Sequence, residues 1–189
     1  MKYPGIDRLP VFRSDTQAAV LTELFVYAAE PLTLTELATR TGYSVSAVHK
    51  EAERLEAADL VRSTRHGRNR LVSANQESPF AYELRSLLVR AFGPASLIRR
   101  ELVGFSSIVE GFIYGSWARS DYGVGGQPND IDLMIIGDPD LTALYDRLRD
   151  VERRIGRPIQ VTVLTPEEWA NPASGFLKSI RDQPTVPVT

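Results

Sequence analysis

The sequence contains no cysteine, so it has neither a disulfide framework nor a thiolate metal site. It also lacks an apolar run of the roughly 20 residues that a membrane-spanning helix needs. Residues 1–12 have no apolar core of the kind a signal peptide carries. We therefore expect a cytoplasmic protein with no membrane partner. With 43% hydrophobic and 24% charged residues, the 189-residue chain has the composition of one medium globular domain or two small ones.

The chain has no strong overall charge either, because its net charge at pH 7 is only −2. This value gives no general argument for binding nucleic acid. The charges are unevenly distributed, however. Carboxylates gather at 121–152, whereas residues 60–74 contain no acidic residue. The arginines of that segment are Arg62, Arg65, Arg68 and Arg70. We expect the arginine-rich segment to meet phosphates and the acidic one to meet metal ions.

Capping residues and helical periodicity predict three helices near the N-terminus. The first begins after a capping box at Ser14 and spans 15–29, until Pro31 ends its apolar pattern. The second starts at Thr33 or Thr35 and stops at Gly42, which can adopt the left-handed conformation of a sharp helix exit. The third runs from Ser44 or Ser46 to 58. Its predicted apolar stripe is Val45, Val48, Ala52 and Leu55.

Two short strands, 60–64 and 71–73, are predicted to follow, with a turn at 66–69. Helix, helix, tight turn, helix and basic hairpin is the order of a winged helix-turn-helix. The segment from Leu32 to Asn75 resembles the ArsR-like transcriptional regulators in pattern and length. The resemblance implies double-stranded DNA as the partner of this half.

Candidate DNA contacts lie at two places in this predicted domain. One is the solvent-facing N-terminal end of the third helix, the end that enters the major groove in helix-turn-helix proteins. The other is the wing, whose arginines can grip flanking phosphates or the minor groove. The candidates are Ser46, His49 and Lys50 on the helix, and Arg65, Arg68 and Arg70 on the wing. The alternative is a winged helix that mediates protein contact and whose arginines are only solvated.

The domain order places a boundary near residue 78. We expect a winged helix at 1–78, a linker helix at 79–94 and a second domain at 95–189, which makes an α+β protein. Because one recognition helix reads few base pairs, we expect a homodimer. The helices at 15–29 and 80–92 are its candidate surfaces.

The second domain contains a strand, a tight turn, a helix start, a glycine-containing loop and another strand. Ile108 to Tyr114 read as a buried strand, and Gly115-Ser116 turn into a short helix. The sequence Asn129-Asp130-Ile131-Asp132 then enters the apolar strand 133–136. Because side chains alternate along a strand, Asp130 and Asp132 should share a face while Ile131 points into the core.

Two neighbouring carboxylates repel each other unless a cation neutralises them. Mg²⁺ suits such a pair, because it prefers oxygen ligands and shares its coordination sphere with triphosphate oxygens. Gly115 would let the backbone approach phosphates closely, and Ser116 would supply a hydroxyl and a backbone amide. Metal ions would then orient and neutralise a triphosphate for attack at its α-phosphorus.

This pattern resembles the polymerase β-like nucleotidyltransferases, especially the small MNT-type domains found in antitoxins and antibiotic-modifying enzymes. The resemblance spans about 95–180 and implies a small mixed sheet with flanking helices. It implies that Gly115, Ser116 and Arg119 bind nucleotide phosphates, and that Asp130 and Asp132 are catalytic carboxylates that bind Mg²⁺ or Mn²⁺. The expected ligand is a nucleoside triphosphate, with ATP the first choice. Lys178, in the tail that also fits the family, is a further candidate phosphate contact.

The family pattern also asks for a third acid on a later strand, and here the chain departs from it. In the predicted strand 158–164, Ile159, Val161 and Val163 share one face and Gln160 and Thr162 the other. Neither Gln160 nor Thr162 can act as an ionised ligand or a general base. Substitutes from elsewhere in the sequence are Glu110, Asp121 and Glu167, and no spacing favours one of them.

Three functions remain open at this point. The first is a transcriptional regulator whose second domain binds Mg-nucleotide, of antitoxin type and with a toxin protein as a further partner. The second is an active Mg-dependent nucleotidyltransferase that moves a nucleoside monophosphate to a protein, an RNA or a small molecule. The third is a relic that binds neither DNA nor nucleotide.

Overall fold

The computed structural model describes residues 10–67, 69–119, 128–172 and 175–189. The chain divides into two compact units, Met1–Gly93 and Pro94–Thr189. Both contain helices and a sheet, so the protein is α+β as predicted. Within the described residues, none of the helices has the length and apolar character needed to span a membrane.

The N-terminal unit is a winged helix. Its three-stranded antiparallel sheet has the order β1-β3-β2, and a fourth helix follows the wing. Its elements are α1 (Asp15–Thr22), which continues as a π-helical segment (Glu23–Tyr27), β1 (Leu32–Thr33), α2 (Leu34–Thr41), α3 (Val45–Ala57), β2 (Val61–His66), β3 (Asn69–Ala74) and α4 (Ala81–Phe92).

The predicted helix starts are confirmed by their caps. Ser14 accepts a hydrogen bond from the backbone amide of Gln17 at 3.2 Å. Thr33 and Glu36 form a capping box that starts α2, and Gly42 ends α2 with a φ of 75°. The first helix is shorter than predicted, because its regular part ends at Thr22 and the π-helical segment ends at Tyr27.

Two details of the sequence prediction are wrong in this unit. The wing strands extend further than expected, so that His66 and Asn69 pair across the hairpin instead of forming its turn. Val45, expected in the apolar stripe of α3, is 47% exposed. It is the first residue after the Ser44 cap, where the helix has not yet reached the core.

The core of the N-terminal unit joins α1, α2, α3 and α4 to the sheet. Its fully buried members include Phe25, Leu37, Leu55, Val72 and Leu88. Polar contacts tie α4 to the π-helical segment, because the hydroxyl of Tyr27 donates to the carbonyl of Phe92 at 2.6 Å. Arg85 also donates to the carbonyl of Phe25 at 2.5 Å. The helix that we expected to act as a linker therefore packs within the first unit.

The C-terminal unit is built on a mixed sheet of order β6-β5-β4-β7. β5 and β6 are parallel, and the other neighbours are antiparallel. Its elements are α5 (Pro94–Leu102), β4 (Ile108–Tyr114), α6 (Gly115–Arg119), β5 (Ile131–Gly137), α7 (Leu141–Ile155), β6 (Ile159–Leu164), α8 (Pro166–Ala170), α9 (Gly175–Arg181) and β7 (Val186–Pro187).

Helices cover both faces of this sheet, which explains why β5 reads as a continuous apolar run. On one face Phe112, Met134 and Ile136 pack with Ile180 of α9. On the other, Leu148 of α7 borders a cavity of about 320 Å³ together with Ile159 and Val161 of β6. The alternation predicted for β6 is confirmed, and the face that carries Gln160 and Thr162 is the one under α8 and α9.

Candidate nucleic-acid interface and acidic site

The N-terminal end of α3 exposes short polar and basic side chains. Ser44 caps the helix, and Ser46 in the first turn and Lys50 in the second are exposed. Lys50 forms no ion pair with any described residue. His49 is half-buried and lies 3.5 Å from Glu53. The acidic residues of α3 all lie beyond this end, so the first two turns of the helix suit an anionic partner.

In the wing, arginines pair with acidic residues from other parts of the chain, because residues 60–74 contain no acidic residue themselves. Arg62 pairs with Glu77 at 2.7 Å. Arg70 pairs with Glu56 of α3 at 2.5 Å and donates to the hydroxyl of Ser63 at 2.9 Å. Two of the four arginines are therefore compensated within the fold, contrary to the expectation from the local sequence.

Arg65 is the wing arginine that stays exposed without an ion pair to any residue between 10 and 67 or in the other described ranges. The side chain of Arg70 is only 24% exposed, and its ion pair with Glu56 holds β3 against α3. Arg70 therefore has a structural role in addition to its positive charge. Arg68 lies outside the described residues. Among the described candidate wing contacts, Arg65 is the arginine that is exposed and forms no ion pair, so it is accessible to a phosphate.

In the C-terminal unit, the turn after β4 meets the aspartate of β5. Gly115 has a φ of 71°, which side chains other than glycine rarely adopt. A Cβ at this position would lie 2.3 Å from the Oδ2 atom of Asp132. The glycine therefore serves two purposes, since it permits the turn and makes room for the carboxylate. Sequence spacing predicted this juxtaposition of the two motif halves.

Asp130 and Asp132 both lie half-buried at the start of β5, but Asp130 precedes the strand instead of belonging to it. Burial raises the pKa of Asp132, and the charge of Asp130 raises it further. The nearby Arg119 lowers the pKa of Asp132 and only partly offsets these effects. Negative charge on Asp132 is therefore less favourable here than in water.

The strand beside Asp132 supplies no further charge. Gln160 of β6 is the register partner of Asp132, and Thr162 is the partner of Met134. The hydroxyls of Thr162 and Tyr114 are 3.4 Å apart. Within the described ranges, no group of three or more histidine, cysteine or acidic residues is placed to hold a metal ion. Of the acids considered as substitutes, Asp121 lies outside the described residues.

The expected phosphate contacts differ in their surroundings. Ser116 and Arg119 are exposed on α6, directly after the Gly115 turn. Arg119 donates weakly to the side chain of Gln183 at 3.4 Å. Lys178 lies on α9, the helix that covers the Asp132 face of the sheet. Gly115 and Asp132 are in contact, and Arg119 is close enough to influence the carboxylate electrostatically.

Sequence reasoning missed four residues that shape these sites. Glu56 and Glu77 compensate wing arginines, and Tyr114 and Phe176 form an aromatic pair beside Asp132. The two glutamates are remote in sequence from the arginines they meet, so no local pattern reveals them. The position of Tyr114 directly before Gly115 could have indicated that it lies beside the site, but the sequence pattern assigned it only to a buried strand.

The MarR family model matches residues 14–70. Among solved structures, the chain is similar to NolR from Sinorhizobium fredii, at 22% identity over 45% of this chain and 80% of that one, with a TM-score of 0.36. It is also similar to ZitR of Lactococcus lactis in complex with DNA, at 22% identity over 53% of this chain and 71% of that one, with a TM-score of 0.35. No curated protein matches the chain.

The matched family is MarR, whereas the sequence pattern resembled the ArsR-like regulators. The matched segment contains α1, β1, α2, α3 and β2 and ends within β3, so it covers most of the winged helix. The match ends before the C-terminal unit begins. The N-terminal unit thus contains a winged-helix domain of the MarR family at residues 14–70, and the match identifies no family for the C-terminal unit.

Proposed function

We propose that the protein is a DNA-binding transcriptional regulator whose C-terminal unit binds Mg-nucleotide. The DNA-binding part rests on one observation: a winged-helix domain of the MarR family exposes Lys50 on α3 and Arg65 on the wing without internal partners among the described residues. Those are the two places from which a winged helix contacts the major groove and the flanking phosphates. Ser46 and His49 lie on the same end of α3 and can contact base edges.

Binding to DNA is tested by fluorescence anisotropy with the protein's own upstream region and with an unrelated duplex, each at several salt concentrations. Loss of two phosphate contacts per protomer in Lys50→Ala/Arg65→Ala should reduce affinity by about tenfold or more and lower the salt slope by about 2 for each bound protomer. Arg149→Ala is the matched control, because it removes an exposed arginine of the C-terminal unit that pairs with Asp146 at 2.9 Å.

A wild-type protein that bound both duplexes weakly and without salt dependence would contradict DNA binding. It would favour the alternative in which the winged helix contacts another protein. An unchanged salt slope in the double variant would instead move the DNA interface away from α3 and the wing.

We also propose that the regulator works as a homodimer through α4. Phe80, Leu84, Leu87 and Ala91 recur at spacings of four and three residues along this helix, and Phe80 and Leu87 are 64% and 37% exposed. An apolar stripe of this spacing suits a helix–helix contact. Leu87→Glu should give a monomer in sedimentation velocity, and Glu83→Gln on the same helix should not.

The second part of the proposed function is the Mg-nucleotide site. Its supporting observation is the contact between the Gly115 turn and Asp132, with Asp130 beside it. Carboxylate oxygens are the donors that Mg²⁺ prefers, so the residues fit this ion. Bound Mg²⁺ would neutralise and orient the phosphates of a nucleoside triphosphate. Ser116 and Arg119 are placed to contact phosphate oxygens, and ATP is the nucleotide to try first.

We propose binding without turnover, because the position beside Asp132 is occupied by Gln160 and no third acid stands in the described part of the site. Titration calorimetry with ATP and Mg²⁺ tests the binding, and Asp130→Ala/Asp132→Ala should abolish it. Asp146→Ala, an exposed acid of the same unit, is the control. Transfer of label from ATP to a component of a cell extract would favour the alternative, an active nucleotidyltransferase.

The antitoxin role and its toxin partner belong to the same proposal. Their support is the resemblance of the C-terminal sequence to MNT-type domains. A stable complex with the product of a neighbouring gene, purified from co-expression, would support this role. Absence of any such complex would contradict the antitoxin role and leave nucleotide binding as the proposed function of the C-terminal unit.

A further inference from the structure

An exposed aromatic ring lies next to the proposed nucleotide site. Phe176 is 57% exposed, although Ile180 of the same helix is buried in the core and Leu177 packs against it. The ring of Phe176 contacts that of Tyr114, with 6.2 Å between centroids and an interplanar angle of 69°. The ring of Phe176 is thus supported by Tyr114 of the sheet while much of its surface is open to water.

Tyr114 connects this ring to the site. It is the last residue of β4, its register partner is Asp132, and Gly115 follows it directly. Its hydroxyl lies 3.4 Å from that of Thr162 on β6, so its side chain lies across β5 on the Asp132 face of the sheet. Phe176 therefore stands over the same face of the sheet as Asp132 and contacts the register partner of that residue.

The chain after α9 borders the site from another side. Gln183 accepts a hydrogen bond from Arg119 of α6. The C-terminal segment that begins with α9 thus contributes Phe176 to the aromatic pair. It also contacts Arg119, the α6 residue whose charge lowers the pKa of Asp132. Such an arrangement brings one aromatic surface and the polar groups of Arg119 and Gln183 to neighbouring positions.

We propose that Phe176, supported by Tyr114, is the platform on which the base of the bound nucleotide stacks. This inference rests on the proposed Mg-nucleotide site and adds how the rest of the ligand is held. Stacking on an aromatic ring depends on ring surface more than on hydrogen-bond pattern, so the site accepts any base and favours purines for their size.

The test compares two probes in titration calorimetry, Mg-ATP and Mg-tripolyphosphate. Tripolyphosphate carries the charges of the triphosphate but has no base. In Phe176→Ala, affinity for Mg-ATP should fall by about tenfold while affinity for Mg-tripolyphosphate stays unchanged. Phe176→Trp should restore the affinity for Mg-ATP. Because Phe176 is largely exposed, both variants should melt like the wild type, which checks that they fold.

The outcomes separate this inference from the proposed function. If the wild type binds both probes and Phe176→Ala keeps its affinity for Mg-ATP, the stacking platform is wrong and the phosphate site stands. If Phe176→Ala loses both probes equally, Phe176 supports the site as a whole and does not contact the base. If the wild type binds neither probe, the nucleotide site itself is refuted.

Discussion

The wing of the N-terminal unit and the acidic site of the C-terminal unit differ in how their charges are compensated. In the winged helix, arginines of the wing meet glutamates from α3 and from the segment after β3, in the pairs Arg70–Glu56 and Arg62–Glu77. In the C-terminal unit, Asp130 stands beside Asp132, and Arg119 offsets their repulsion only in part. The wing thus compensates part of its charge internally, whereas the acidic site keeps two like charges together.

This difference indicates which charged residues are candidates for contact with a ligand of opposite charge. A compensated ion pair on the surface contributes little to stability and needs no ligand. Two like charges held together carry a cost in the free protein that a ligand of opposite charge removes, and an exposed cation without an ion pair is free to meet such a ligand. Lys50 and Arg65 in the first unit, and the two aspartates in the second, are therefore better site candidates than the charged residues around them.

The largest expected effect concerns the Gly115 turn. Gly115→Ala forces a side chain into a positive-φ position, which costs about 1–3 kcal/mol, and also displaces the Asp132 carboxylate. Gly156→Ala is a matched control, because Gly156 has a φ of 68° but open space around its Cβ. In urea unfolding, Gly115→Ala should lose more stability than Gly156→Ala. Equal losses would mean that the contact with Asp132 contributes nothing.

A smaller effect is expected from neutralising one aspartate. Because the pKa of Asp132 is raised, its contribution to stability is fully present below the usual value of 3.8 and is lost as pH rises through the raised pKa. Asp132→Asn should therefore melt about 1–2 °C above the wild type at neutral pH, a modest shift because solvent screens a partly exposed group. The gap should close at low pH.

Asp146→Asn is the control for this prediction, since it removes an exposed carboxylate that pairs with Arg149 and should bring no gain. Added Mg²⁺ should stabilise the wild type and leave Asp132→Asn unchanged. A variant that melts below the wild type at neutral pH would show that the carboxylate is well compensated in the free protein.

In the winged helix, the comparison predicts that Arg62 and Arg65 differ in their contribution to DNA affinity. Arg62→Ala breaks an exposed pair and should cost less than about 1 kcal/mol of stability, with an effect on DNA affinity below that of Arg65→Ala. Anisotropy titrations of the two single variants on the same duplex measure this. If Arg62→Ala weakens binding as much as Arg65→Ala, ion pairing within the wing does not decide which arginine contacts DNA.

The smallest effect is expected for Glu56→Gln. The change removes a negative charge near the wing and frees Arg70 for a phosphate, so DNA affinity should rise by about twofold and the salt slope should steepen. A fall in affinity would show instead that the Glu56–Arg70 pair sets the position of the wing, and the melting temperature would then fall with it.

Local sequence signals determined much of the architecture. Caps at Ser14 and Thr33 and the glycine at 42 place helix ends, because the unsatisfied backbone groups at those ends need local partners. Alternation in β6 and the apolar run of β5 likewise follow from which faces are covered. The Gly115-Ser116 turn and the two aspartates were identified from residue type and spacing, and the structure brings Gly115 and Asp132 into contact.

What the tertiary structure alone decided is which charges find partners. Glu56 lies 14 residues from Arg70 and Glu77 lies 15 from Arg62, and no periodicity in the sequence links either pair. Tyr114 and Phe176 are likewise brought together only when α9 packs on the sheet. Helix caps and strand alternation depend on neighbours in the chain, so the sequence shows them. Ion pairs and aromatic contacts depend on neighbours in space, and these exist only once the core has packed.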